Sequence, residues 1–373
     1  MHIQFYRHNL SMQGRDPVKI IREALSQTLV FYYPFVGRLK EGPGGKLVVE
    51  CTGEGVMFIE AGADVSLEQF GHLIHPPFTC IDELLYDVPC SGEMLDCPLL
   101  LIQVTRLRCG GLTFALRLNH LMDCIRSMCT FNPPVWQREL FNARNPPQMT
   151  CTHHEFDELV ELQSLIINPL HEQACCSFFF GSTQVSAIRK KVPYHLGKYS
   201  TFEVLTTFLW QCRTIALSPN PEDQVRLIFM NSVRGVCENP LEYALELVRK
   251  AKANVTDEYV RSFIDLVVTK GRTHTTIVKS FVVSNTAQLE LRDADFGWGK
   301  AVYCGLAKIF KIQSTSATTF YIEAMNNSKG EGGIMMPLCL PTSAMERFVK
   351  ELNSILQDQS DGGPMSKFII SSL

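Results

Sequence analysis

Several signatures are missing from this chain of 373 residues, and each absence narrows what it can be. It has 14 cysteines but no CxxC pair, so neither a zinc ribbon nor a thioredoxin-type redox site is indicated. No apolar run reaches the roughly 20 residues that a membrane-spanning helix needs. No block of five like charges occurs, and the formal net charge is −3. Nucleic-acid binding normally calls for a basic patch, so nucleic acid is not an expected partner. A GxSxG elbow is absent, which argues against that type of serine hydrolase. The glycine-rich stretch Gly42-Pro43-Gly44-Gly45-Lys46 lacks the GK[ST] ending of a phosphate loop and reads as a hairpin turn. The first residues, Met1-His2-Ile3-Gln4-Phe5-Tyr6, lack the charged and apolar regions of a signal peptide.

What is present is the material for sizeable cores. Hydrophobic residues make up 46% and charged residues 20%, the balance of a globular protein and the opposite of a disordered one. The length suits two domains of about 150 residues each. Cys175 and Cys176 are adjacent, and Cys212 sits in the run Leu209-Trp210-Gln211-Cys212. That placement predicts buried free thiols, held reduced in the cytosol.

Along the chain, residues 2–6 alternate as a short strand. Asp16-Pro17 opens a helix, with a capping carboxylate and a proline where its missing N–H costs nothing. Val18, Ile21, Leu25, Leu29 and Tyr32 recur at helical spacing. Around the Gly42–Gly45 turn, Gly37–Lys40 and Lys46–Glu50 form a hairpin. Leu99–Leu107 and Leu112–Leu118 read as strands, the second buried on both faces. Later strands are expected at Cys176–Phe180, Leu227–Asn231, Ile277–Ser284 and Thr318–Ala324. Ser200-x-x-Glu203 is a capping box opening a helix with Phe202, Leu205, Leu209 and Cys212 on one face. Further helices are expected over residues 241–252 and Ser343–Leu356. Strands and helices mixed in both halves imply an α/β or α+β chain. The expected division is residues 1–155, a crossover over 156–180, and 181–373.

Two places could carry chemistry. His120 follows a buried strand directly, and an imidazole titrates where a general base should; read alone, it is more often a structural histidine. Asp295-Phe296-Gly297-Trp298-Gly299 contains DFG without the HRD loop or β3 lysine of a kinase, so a tight packed turn is expected. His72-x-x-His75 and His153-His154 lack companion ligands, and no metal site is expected.

Asn119-His120 after the glycine-led strand, with DFGWG in the last third, resembles the BAHD acyl-CoA-dependent acyltransferases, the plant alcohol and benzyl-alcohol type most closely. Leu25–Leu39, with its Phe31-Tyr32-Tyr33-Pro34-Phe35 core, the Ser200–Arg213 helix with Trp210, and Pro337-Leu338-Cys339-Leu340 match as well. The resemblance implies an α/β fold of two chloramphenicol-acetyltransferase-like domains with mixed sheets and a channel between them. It implies a monomer with acyl-CoA as co-substrate, a small alcohol as acceptor, no metal and no bound cofactor. His120 would be the general base, Asp123 its structural support, Arg234 the partner of that carboxylate, and Asp295–Gly299 a structural motif. Ser284 would contact substrate, although Thr286 stands where the family usually has tryptophan.

The match has gaps. In the family, aspartate follows the histidine by four residues and is followed by glycine, whereas here Asp123 stands at plus three and Cys124 replaces the glycine. The helix after the motif is short, and the glycine-tyrosine-rich segment after Arg234 is missing. Two readings therefore stand open: an active O-acyltransferase, or a catalytically impaired relic of that family that at most binds ligands.

Overall fold

The computed structural model describes residues 1–42, 47–71, 73–78, 80–86, 95–118, 142–153, 173–193, 198–219, 225–228, 231–233, 241–254, 256–271, 280–287, 291–309, 317–326 and 330–357. The chain divides into two compact units. The first comprises Met1–Val135, Thr286–Lys308 and Ile322–Met335; the second comprises Trp136–Asn285, Ile309–Tyr321 and Met336–Leu373.

The first unit is built on a mixed sheet in the order β11-β1-β6-β5-β4. Its strands are β1 (His2–Tyr6), β4 (Met57–Ala63), β5 (Leu100–Leu107), β6 (Leu112–Leu118) and β11 (Tyr303–Leu306). β4 and β5 run parallel, while the other pairs are antiparallel. Alternation along β1 splits its side chains between two apolar layers. Phe5 packs with Phe70, Phe78 and Tyr303, and Tyr6 joins the core with Val18, Ile21, Leu25, Leu100 and Leu116.

Helix α1 (Pro17–Phe31) begins as expected: the Asp16 carboxylate accepts from Val18 N at 3.1 Å, with Pro17 at the first helical position. Arg106 Nη2 also donates to that carboxylate, at 2.6 Å. The hairpin is likewise formed by β2 (Arg38–Glu41) and β3 (Leu47–Glu50), with Leu39 opposite Val49.

A second sheet has six strands in the order β7-β13-β12-β10-β8-β9; the second unit holds β7 to β10 of it with residues 317–321 of β12 and 336–341 of β13. Its strands are β7 (Gln173–Phe180), β8 (Val225–Ile228), β9 (Asn231–Val233), β10 (Ser280–Asn285), β12 (Ala317–Asn326) and β13 (Glu331–Pro341). The described helices here are α2 (Ser182–Arg189), α3 (Thr201–Leu217), α4 (Leu241–Asn254), α5 (Asp257–Lys270) and α6 (Thr342–Gln357). The capping box at α3 is present: Glu203 N donates to Ser200 Oγ at 3.2 Å, and Ser200 N donates to the Glu203 carboxylate at 2.7 Å. Phe178 of β7 meets Phe348 of α6, ring centroids 5.4 Å apart.

Three expectations need correction. The single strand Leu227–Asn231 is two short antiparallel strands, with Leu227 opposite Asn231; an apolar run shows strand propensity but not where the chain reverses. Helix α3 is buried on nearly every side rather than along one face, including Thr206, Thr207 and Arg213. Two of its hydroxyls are accommodated individually: Thr206 Oγ1 bonds Tyr321 Oη at 3.1 Å and Thr214 Oγ1 donates to the carbonyl of Trp210 at 2.8 Å. Finally, Cys175 is not a free thiol but is disulfide-bonded to Cys339, 164 residues away. The bond joins β7 to its sheet neighbour β13, a proximity that sequence spacing does not show. Among the described residues, Cys97, Cys176, Cys212 and Cys304 are buried and not disulfide-bonded, as expected.

Candidate acyl-transfer site

His120, Asp123 and Arg234, which sequence reading made the centre of the site, lie outside the described residues. What is described is the strand that leads to the histidine. β6 lies between β1 and β5, bonded to both along its length. Asn119-His120 follows directly where that strand ends.

The Asp295–Gly299 segment is a clamped turn in the first unit. The Asp295 carboxylate accepts from Gly297 N at 2.7 Å and from Gly299 N at 2.8 Å. Both glycines adopt positive φ, +101° and +82°, a region that side chains with Cβ disfavour. From outside, Asn9 Nδ2 donates to the Gly297 carbonyl and Tyr6 Oη to that of Ala294, each at 2.8 Å. Phe296 packs edge-on to Tyr6 and tilted against Phe114, while Trp298 is buried in the core. Just beyond the turn, Val302 N donates to Phe5 O at 2.8 Å and the chain enters β11. The aspartate thus organises backbone and the aromatic residues anchor it. Its chemistry is that of a fastener, attaching a late segment of chain to the first strand.

Ser284 lies on β10 in the second unit, in register with Phe320 of β12. The two strands share a dry face: Phe281, Val283, Thr319 and Tyr321 are buried, with the Arg213 guanidinium of α3 stacked 5.3 Å from the Phe281 ring. Burial lowers the Arg213 pKa to about 9. The alternate residues Val282, Ser284, Thr318 and Phe320 are half-buried. Ser284 therefore lies on the more open face of these strands, opposite the face that carries Phe281 and Val283.

Sequence reading missed a polar assembly in the second unit. The fully buried Asp265 carboxylate of α5 accepts from the Arg144 guanidinium, from Arg144 N at 2.7 Å and from Gln148 N at 3.0 Å. One turn away, Ser262 Oγ accepts from Cys151 N at 3.0 Å and bonds His153 Nε2 at 2.9 Å. Glu258 receives Arg144 Nη1 at 2.9 Å. Burial works to raise the Asp265 pKa, but Arg144 and the two backbone donors outweigh it and hold it below its ordinary value. Residues 258, 262 and 265 share one helical face, yet their partners lie over a hundred residues earlier, so no local signal marks them.

A family model described as Transferase family matches residues 1–242 and 225–355. The chain belongs to the BAHD acyltransferases. Two curated relatives are each 51% identical over 95% of this chain and 86% of their own length: benzyl alcohol O-benzoyltransferases of Petunia hybrida and Nicotiana tabacum. A 13-hydroxylupanine O-tigloyltransferase of Lupinus albus is 46% identical over 95% of this chain and 87% of its own. The crystal structure of vinorine synthase superposes with a TM-score of 0.64 at 18% identity, covering 95% of this chain and 89% of that one. F. graminearum TRI101 complexed with ethyl coenzyme A superposes at 0.65 with 14% identity, covering 94% and 92%. At such identities the superpositions speak for the fold, the two-domain α/β architecture with mixed sheets. Among the described residues no cluster of His, Cys, Asp and Glu could hold a metal ion, and no helix is long and apolar enough to cross a membrane.

Proposed function

We propose that this BAHD protein is an acyl-CoA-dependent O-acyltransferase that esterifies a small alcohol, benzyl alcohol and its simple relatives first among the candidates. The observation carrying this is 51% identity, across nearly the whole chain, to two benzyl alcohol O-benzoyltransferases. In the reading, the His120 imidazole takes the proton of the acceptor hydroxyl as its oxygen attacks the thioester carbonyl. The tetrahedral intermediate collapses, the C–S bond breaks, and CoA thiolate leaves with the proton that His120 gives back. Neither a metal nor a covalent enzyme intermediate is required. Asp123 steadies the histidine loop through Arg234, Asp295–Gly299 is structural, and Ser284 contacts the substrate. The protein acts in the cytosol as a monomer, which gel filtration and a fluorescent fusion would check.

The test is direct. Purified chain is given benzoyl-CoA and benzyl alcohol, and both ester and free CoA thiol are followed. His120→Ala should lower the rate about 10²–10⁴-fold while circular dichroism stays unchanged. Retention of activity within a few-fold would mean that another group is the base.

One observation favours a second reading, the impaired relic. The alignment to the Petunia relative runs over 396 positions against a chain of 373 residues. At least 23 positions of that relative thus have no counterpart here. With Asp123 one residue closer to His120 than the family pattern has it, this supports a chain that binds CoA without turnover. Benzoyl-CoA binding by calorimetry with no ester formed would favour this reading; ester formation would remove it.

A further inference from the structure

Among the described residues Cys175 and Cys339 form the one disulfide, and the remaining described cysteines are not disulfide-bonded. Cys175 is the third residue of β7, the outermost strand of the described six-stranded sheet. Cys339 lies on its neighbour β13, two residues before Pro341 and the start of α6. Their Cα atoms are 4.1 Å apart, close to the spacing of residues directly opposite on neighbouring strands.

The two strands do not depend on the bond alone. Phe178 of β7 meets Phe348 of α6, and Cys176, Ser177, Phe178 and Phe180 are buried along the same strand. Sheet pairing and this apolar packing keep the two sulfurs facing each other when the bond opens, so disulfide and dithiol are two states of one fold. Closing it again is a reaction between groups already in place. Access is uneven: Cys175 is half-buried on the outermost strand, while Cys339 is buried. Exchange requires an incoming thiolate to reach one of the two sulfurs, and Cys175 is the residue nearer solvent. Cys176, next in sequence, belongs to the opposite face by strand alternation. Burial pushes its thiol and that of Cys212 up, which keeps both out of exchange.

We propose that Cys175–Cys339 is a reversible redox switch, opened by a small monothiol of the glutathione type and closed by the corresponding disulfide, that sets how firmly β7 is held to its sheet. A glutathione thiolate attacks the Cys175 sulfur, the bond to Cys339 breaks, and the Cys339 thiolate leaves and takes up a proton. A second glutathione thiolate attacks the glutathione sulfur of the mixed disulfide. Cys175 is released as a thiol together with glutathione disulfide, and closure is the reverse. In the open state the start of β7 loses its covalent anchor while the rest of the strand stays packed. The switch is separate from acyl transfer and stands whether or not the chain turns over.

The full chain is equilibrated in glutathione buffers, from about a hundredfold excess of the thiol to about a hundredfold excess of the disulfide. Acid quench, maleimide tagging and peptide mass spectrometry read the state of the pair. Hydrogen exchange over β7 is followed alongside, with β1 of the first unit as control. The pair should pass from bonded to dithiol across the series and return on reversal, with circular dichroism unchanged. Opening should speed exchange at residues 173–176 about tenfold or more and leave β1 as it was. Cys339→Ser should exchange like the opened parent in every buffer; if that variant does not fold, Cys175→Ser, at the half-buried position, makes the same comparison. A bond that survives excess glutathione is a permanent staple and overturns the proposal. So does a pair that stays open in excess glutathione disulfide, an opening that unfolds the second unit, or a β7 that exchanges alike in both states.

Discussion

The two glycines of the Asp295–Gly299 turn provide a paired test of why the turn has its sequence. Alanine at Gly299 would meet no atom within 4 Å, so its cost is the positive φ alone, about 1–2 kcal/mol. Alanine at Gly297 carries the same conformational cost, and its Cβ would also fall 2.5 Å from Met12 Cε. Because that methyl ends a flexible side chain, the added cost should lie near the low end of overpacking penalties, about 1 kcal/mol. Gly297→Ala should then destabilise by about 2–3 kcal/mol. At about 2–4 °C per kcal/mol for a unit of this size, melting should fall by about 4–12 °C for Gly297→Ala and about 2–8 °C for Gly299→Ala. Scanning calorimetry of the full chain reads both. Combining each with Met12→Ala isolates the steric part: coupling of about 1 kcal/mol is expected with Gly297 and none with Gly299. If Gly299→Ala proves the costlier change, or if both melt within a degree of the parent, the account of the turn given above is wrong.

Other outcomes follow from the same structure. Ser200→Ala removes the cap of α3 and should cost about 0.5–2 kcal/mol in urea unfolding, with Ser200→Thr losing much less. The Asp265 carboxyl is held below its ordinary pKa of 3.8, so the unfolded chain binds more protons in acid. The stability it supplies is complete above that ordinary value and lost as pH falls through the lower folded one. Asp265→Asn should therefore melt lower at neutral pH and show a flatter decline below about pH 4; an unchanged acid limb would remove the carboxylate from the explanation. Under oxidising conditions Cys339→Ser should cost about 2–4 kcal/mol, since the lost bond closes a long loop. With reductant present the difference should vanish; a gap that persists would belong to packing.

Where one residue and its near neighbours decide an element, the sequence was readable. Asp16-Pro17 declares the start of α1, Ser200-x-x-Glu203 the start of α3, and alternation around Gly42–Gly45 the hairpin. Asp295 with glycines at plus two and plus four is a turn signal of the same local kind. The missed elements depend on distant partners. Helix α5 spends one face of its first three turns, Glu258, Ser262 and Asp265, on the segment from Arg144 to His153, which makes that face look like ordinary solvent-facing surface. β13 holds Gly332-Gly333 and Pro337, which read as turn residues until β12 and β7 flank them. β11 has only four residues, too few for any period. The disulfide is a matter of which strands are neighbours. The candidate base was visible as a histidine at the end of a strand, and the family likeness gave it a role.

Because the Asp295–Gly299 fastener and β11 come from the last third of the chain, the first unit is not complete when its first 135 residues have been made. On the ribosome β1 has β6 on one side, while its other edge stays unpaired until Tyr303–Leu306 is synthesised. Trp298 arrives just as late at the core formed by Tyr6, Val18 and Leu116. An unpaired strand edge beside incompletely covered apolar surface invites chain-to-chain association. The cell must therefore carry this nascent chain unfinished through the whole translation of the second sheet's first strands. Fragments ending before residue 300 should collect in the insoluble fraction, and yield from expression should respond to chaperone supply more than to the activity of the finished enzyme.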